Sequence, residues 1–178
     1  MDDALNRRHE TGIAIARDAG ALALRHFKSF GSLAIEKKGH QDLVSEADRE
    51  VELAIRAALS KAFPDDSIVG EEHAPVDGKS GWTWVIDPID GTANFVRGIP
   101  HWCCVIACTR GGLPVAGAIF DPCTGEMFRA AKGAGAFVGD RPMRVSAARS
   151  LGEGSVAVGA SGRSDREEAA ALVREVLL

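Results

Sequence analysis

The chain has 178 residues, 46% of them hydrophobic, and a formal net charge of -4. A domain of this size buries roughly 70% of its unfolded surface, so it forms a core without disulfide or metal staples. The negative balance gives no general attraction to nucleic acid or anionic membrane, no apolar run reaches the roughly 18 residues of a membrane span, and Met1 to Arg8 hold no hydrophobic signal segment, which together predict a cytoplasmic protein.

In chain order, apolar or small residues at Ile13, Ala16, Ala19, Ala23 and Phe27 recur at helical spacing and predict a helix near 3–28. Residues 45–62 repeat the pattern with Val51, Ala54, Ile55, Ala58 and Ala62. Ser45 and Asp48 fit a capping-box variant at its start, which gives Asp48 a structural reason to be there. Strands are expected at 67–70, 83–87, 102–109, 114–120, 126–131 and 136–145, with turn signals at Gly111-Gly112, Pro122 to Gly125 and Gly139 to Arg141. Two helices followed mostly by strands make an α+β layout, a helix pair covering an antiparallel-rich sheet. Ser164 to Glu167 read as a second capping box, opening a helix with Ala170, Val173 and Leu177 on its apolar face.

Two nucleotide motifs fail on inspection. Gly78-Lys79-Ser80 resembles the end of a P-loop, but position 73 is His where that motif needs Gly; Gly133, Gly135 and Gly139 miss the dinucleotide spacing. The four cysteines form no C-x-x-C pair and have no zinc-spaced histidine, so they read as reduced core residues. His101 carries no role beyond packing or hydrogen bonding.

The chemistry concentrates in Trp84-Val85-Ile86-Asp87-Pro88-Ile89-Asp90-Gly91-Thr92-Ala93-Asn94-Phe95. Val85-Ile86 predicts a buried strand that Pro88 stops, leaving Asp87 and Asp90 to project from its carboxyl end. Two adjacent carboxylates resist ionising together unless a divalent cation reverses the local pKa logic. Gly91 permits close approach of backbone to a ligand, and Thr92 opens a helix whose N–H groups point at an anion. The competing reading is a pair of ordinary turn dipeptides, Asp-Pro and Asp-Gly. Glu71 and Glu72 are open in the same way: a solvated pair, or ligands delivered where the strand Ser67-Ile68-Val69 breaks at Gly70.

The string Asp87 to Phe95 resembles the signature of the inositol monophosphatase family of Mg²⁺-dependent, lithium-sensitive phosphatases. Lys38 followed by Asp42-Leu43-Val44-Ser45 and Asp48 resembles that family's first block, and Gly70-Glu71-Glu72 its second. Gly117 to Pro122 and Glu126 to Phe137 resemble its strands. The resemblance runs from about residue 10 to about 160 and implies the layered αβαβα sugar-phosphatase fold.

It also implies a mechanism. Glu71, Asp87 and the Ile89 carbonyl would hold one Mg²⁺, and Asp87 with Asp90 a second, of two or three ions in all. Glu71 and Thr92 would activate water, with Asp48 orienting Thr92. The Gly91 and Thr92 N–H groups would receive phosphate oxygens, and Lys38 would add positive charge nearby. The substrate implied is a small phosphate monoester, foremost an inositol monophosphate, acted on by a cytoplasmic homodimer without nucleic acid polymer or membrane.

Histidinol phosphate and 3'(2'),5'-bisphosphate nucleotides are the alternative substrates within the superfamily. The family continues to a W-D-x-A…E-A-G-G block that has no counterpart here, so residues 1–178 are expected to be the N-terminal part of such a domain. Turnover by these residues alone is in doubt, and an inactive fragment serving as a binding or dimerisation module is the alternative of a different class.

Overall fold

Ala16, Ala19 and Ala23 are almost inaccessible to solvent and define the inner face of the first helix, α1 (Asp3–Phe30). Small residues at helical spacing let this helix lie close against a sheet. The second helix, α2 (His40–Ala62), presents Val51, Ile55 and Leu59 in the same way. The computed structural model describes residues 2–30, 40–154 and 166–177. The chain divides into two compact units, Met1–Met143 and Arg144–Leu178.

In the first unit the helices precede β1 (Ser67–Gly70) and β2 (Trp82–Asp90), then a four-residue helix α3 (Thr92–Phe95). After it come β3 (Cys103–Arg110), β4 (Leu113–Asp121), β5 (Glu126–Ala131), β6 (Gly135–Val138) and β7 (Arg141–Pro142). All seven strands form one sheet in chain order. Among the described residues only β1 and β2 run parallel, with Ile68 opposite Trp84; the other pairs are antiparallel. The α+β layout expected from the sequence is the one observed.

The alternation of side chains places the core. Trp84, Ile86, Ile106, Cys108, Ala116 and Ala118 share the face covered by α1 and α2. Each large member contributes roughly 1.5–3 kcal/mol by leaving water. Val69, Val85 and Ile119 point to the opposite face and stay about 40% exposed. Arg8 of α1 grips Asp66, just before β1, with two hydrogen bonds of 2.8 Å. Ser80 Oγ and Trp84 Nε1 also donate to Asp66, so one buried carboxylate ties the helix to the sheet.

Several expectations need correction. The second helix begins at His40, so Ser45 lies inside it rather than at its cap, and Asp48 is not in the first turn. Ala54 is exposed, while Leu59 is fully buried. Pro88 does not stop its strand: β2 continues to Asp90 past an irregularity in the ladder. Residues 136–145 split into β6 and β7 because Gly139-Asp140 turns the chain. Cys104 and Cys108 are buried, but Cys103 and Cys123 are only half-buried; all four are free thiols. Lys38, Ser164 and Asp165 lie outside the described residues.

The second unit holds a short 3-10 turn at Leu151–Glu153 and α4 (Arg166–Leu177), on which Ala170 and Val173 are exposed. Among the described residues no helix is long and apolar enough to cross a membrane.

Candidate metal centre

Three elements deliver the carboxylates. Asp48, only 5% exposed, comes from α2; Glu71 and Glu72 follow β1; Asp87 and Asp90 close β2. In a regular strand, residues three apart face opposite sides of the sheet. Here Asp87 pairs with Val105 and Asp90 with Cys103, so three steps along β2 span two along β3. Pro88, which has no N–H to give the ladder, sits in this bulge. Ile86, Pro88 and Ile89 are consequently buried, and Asp87 and Asp90 emerge on the same side.

Asp87 and Asp48 record how closely the carboxylates gather. Burial first, then Glu71 and Asp90, pushes the Asp87 carboxyl up to about 6. Burial, then Glu72, Asp87, Glu71 and Glu52, pushes Asp48 up to about 7. Oδ1 of Asp87 is buried without a hydrogen-bond partner. Leaving such an oxygen unpaired costs about 1–3 kcal/mol or more for a charged group.

Next to Asp90, the Cys103 thiol is pushed up to about 12 by burial and then by Asp90 and Asp87. It stays protonated, so the site offers hard oxygen donors and no thiolate. Among the described residues no three His, Cys, Asp or Glu side chains close into a ready-made metal cage. Mg²⁺ needs none, because it keeps several waters and is held through one or two carboxylates. An all-oxygen donor set, an orphaned buried carboxylate oxygen and repulsion that a cation relieves fit a hard divalent ion.

Beyond Asp90 the chain turns at Gly91, whose φ of 98° is left-handed. An added Cβ there would also press on His101 and Trp102. Thr92 then starts α3, as expected, and its hydroxyl donates to the Ile89 carbonyl at 3.1 Å. No hydrogen bond between Thr92 and Asp48 is found among the described residues. Asn94 Nδ2 donates to the His101 carbonyl at 2.8 Å, and Phe95 packs edge-on to Trp102. The exposed His101 thus serves through its backbone, bracing the turn.

The sequence reading missed Glu52 and Arg56. Glu52 is 0% exposed and accepts hydrogen bonds from Arg56 Nε at 2.6 Å and from the Glu72 and His73 amides at 2.8 and 3.2 Å. Burial would raise its carboxyl, but the Glu72 amide and Arg56 outweigh that and hold it below the usual range. The signal was legible: Glu52 lies four residues after Asp48 and four before Arg56, amid the apolar positions Val51, Ile55 and Leu59.

A sequence model of the inositol monophosphatase family matches residues 5–176. An inositol-1-monophosphatase of Rhizobium meliloti is 40% identical over 142 residues, covering 79% of this chain and 53% of that protein. A Nus factor SuhB of Xylella fastidiosa is also 40% identical, over 139 residues, covering 78% of this chain and 50% of that protein. The solved inositol monophosphatase of Anabaena (Nostoc) sp. PCC 7120 superposes with a TM-score of 0.71 at 30% identity, over 83% of this chain and 53% of that one. The chain thus spans about half the length of the relatives it matches. With the fold, the carboxylate-bearing bulge and the family match in agreement, the chain belongs to the inositol monophosphatase family.

Proposed function

We propose that the protein hydrolyses a small phosphate monoester with Mg²⁺, an inositol monophosphate being the leading substrate. The observation that carries this reading is the buried, partnerless Oδ1 of Asp87, whose carboxyl is held up by burial and by Glu71 and Asp90 beside it. Asp87, Asp90, Glu71 and the Ile89 carbonyl would hold the metal. Bound Mg²⁺ supplies Lewis-acid polarisation of the phosphate and a more acidic water.

The remaining work falls to side chains and backbone. As water attacks phosphorus and the ester P–O bond breaks, Glu71 takes the water's proton, which returns through solvent to the leaving alkoxide, while the Thr92 hydroxyl, once released from Ile89 toward Asp48, aims the water. The N–H groups of Gly91 and Thr92 face the phosphate oxygens. The resemblance further suggests inhibition by lithium.

The test is phosphate release by the full-length protein from inositol 1-phosphate, histidinol phosphate and a 3',5'-bisphosphate nucleotide, with and without Mg²⁺. Preference for the first, absent in chelator, supports the proposal. Preference for either of the others moves the substrate but keeps the metal chemistry, and no Mg²⁺-dependent release from any of them overturns the reading.

A further inference from the structure

We infer that Glu52 and Arg56 form a clamp that positions the Glu71-Glu72 loop for metal binding, an inference that rests on the metal reading above. Oε2 of Glu52 takes the Glu72 amide and Oε1 takes the His73 amide. Arg56, itself 9% exposed, binds Oε1 through Nε and the His73 carbonyl through Nη2 at 3.0 Å. Two successive N–H groups and a carbonyl of the loop are thereby fixed to one turn of α2.

That turn follows the one carrying Asp48, so one rigid helix sets where Asp48 stands and where the Glu71 backbone runs. Gly70 completes the fit: an added Cβ would overlap the Glu52 carboxylate, which gives the glycine before Glu71-Glu72 its physical reason. A buried ion pair kept only for stability could be exchanged for apolar side chains at little cost. This one instead directs its hydrogen bonds at the main chain of the loop beside the carboxylates. Glu52 and Arg56 are positioning residues, acting through the loop.

The experiment compares wild type, Glu52→Gln and Leu59→Ala in the full-length protein. Leu59 is fully buried on the same helix and serves as a control for general destabilisation. Two readouts are taken below every melting temperature: Mg²⁺ affinity by calorimetry, and amide exchange of Glu72 and His73 in the metal-free protein. Loss of an outer partner typically weakens metal binding about 10–100-fold. Glu52→Gln is expected to fall in that range and to speed exchange at both amides, whereas Leu59→Ala lowers the melting temperature and leaves both readouts near wild type.

If Glu52→Gln does not fold, Arg56→Lys replaces it. That change keeps the charge but cannot reach Glu52 and the His73 carbonyl together, so it should give the same two changes, smaller. Wild-type exchange and affinity in the folded variant, or equal losses in Leu59→Ala, would overturn the clamp. Wild-type protein that binds no Mg²⁺ would instead overturn the function proposed above, and the clamp would then be judged on the exchange rates alone.

Discussion

Asp87 and Asp90 stand on the same side of β2 although three positions separate them, because the bulge at Pro88 absorbs one residue of the ladder. Both carboxylates are therefore placed to serve the one metal centre proposed above, with Asp87 the more enclosed. Asp87→Asn is expected to weaken Mg²⁺ binding by about 100-fold or more, at or beyond the upper end for outer-partner losses. Asp90→Asn should weaken it less, and Val85→Thr, earlier on the same face, should leave it unchanged. Calorimetric titration ranks the three, and an unaffected Asp87→Asn would remove Asp87 from the site.

Asp48 and Asp87 make the metal-free protein sensitive to pH. Their folded values, about 7 and about 6, lie above the ordinary carboxylate value of 3.8. Between about pH 4 and 7 the folded state therefore binds more protons than the unfolded chain, and stability declines as pH rises through that window. The melting temperature without metal should be higher at pH 5 than at pH 7.5. Mg²⁺ or Asp48→Asn should narrow the difference, and a metal-free melting temperature rising over this window would contradict the electrostatic account.

Asp66 works in the opposite sense and in a different window. Burial alone would raise it, but Arg8, Ser80 and Trp84 hold its carboxyl below 3.8. Its contribution is present above the unfolded value and is lost as pH falls through the lower folded one. Asp66→Asn leaves Arg8 without its charged partner and is expected to cost about 3–5 kcal/mol. Denaturant unfolding measures the loss, which should shrink below pH 4; a loss of under 1 kcal/mol at neutral pH would mean that Arg8 finds another partner.

Gly70→Ala should destabilise by about 1–3 kcal/mol, the usual range for overpacking. Gly70 has no positive φ, so the cost comes from contact with Glu52 rather than from backbone strain. In a Glu52→Ala background that contact is gone, and the same substitution should cost distinctly less. Additive losses in this double-mutant cycle would show that the overlap is relieved some other way.

The fold was largely legible because its signals are local. Helical spacing marked α1, and turn signals at Gly111-Gly112, Pro122 to Gly125 and Gly139 to Arg141 separated the strands. The carboxylates of the candidate site were legible from Asp87-Pro88-Ile89-Asp90 and Gly70-Glu71-Glu72, since each group is compact in sequence. Pro88 misled for a physical reason: it removes one ladder bond, and the strand answers with a bulge rather than an end. The spacing of Glu52 to Arg56 amid buried positions marked an ion pair on α2, but its hold on the loop was not legible, because the amides it accepts from lie 20 and 21 residues away.

Metal-assisted hydrolysis at the proposed Asp87 centre is tested by phosphate release from inositol 1-phosphate as Mg²⁺ rises, in full-length wild type and Asp87→Asn. A metal Lewis acid is worth several kcal/mol, so the predicted result is no release in chelator, a saturable rise with Mg²⁺, and a loss on the order of a hundredfold or more in Asp87→Asn. Undiminished release in chelator, or full turnover in Asp87→Asn, would contradict it.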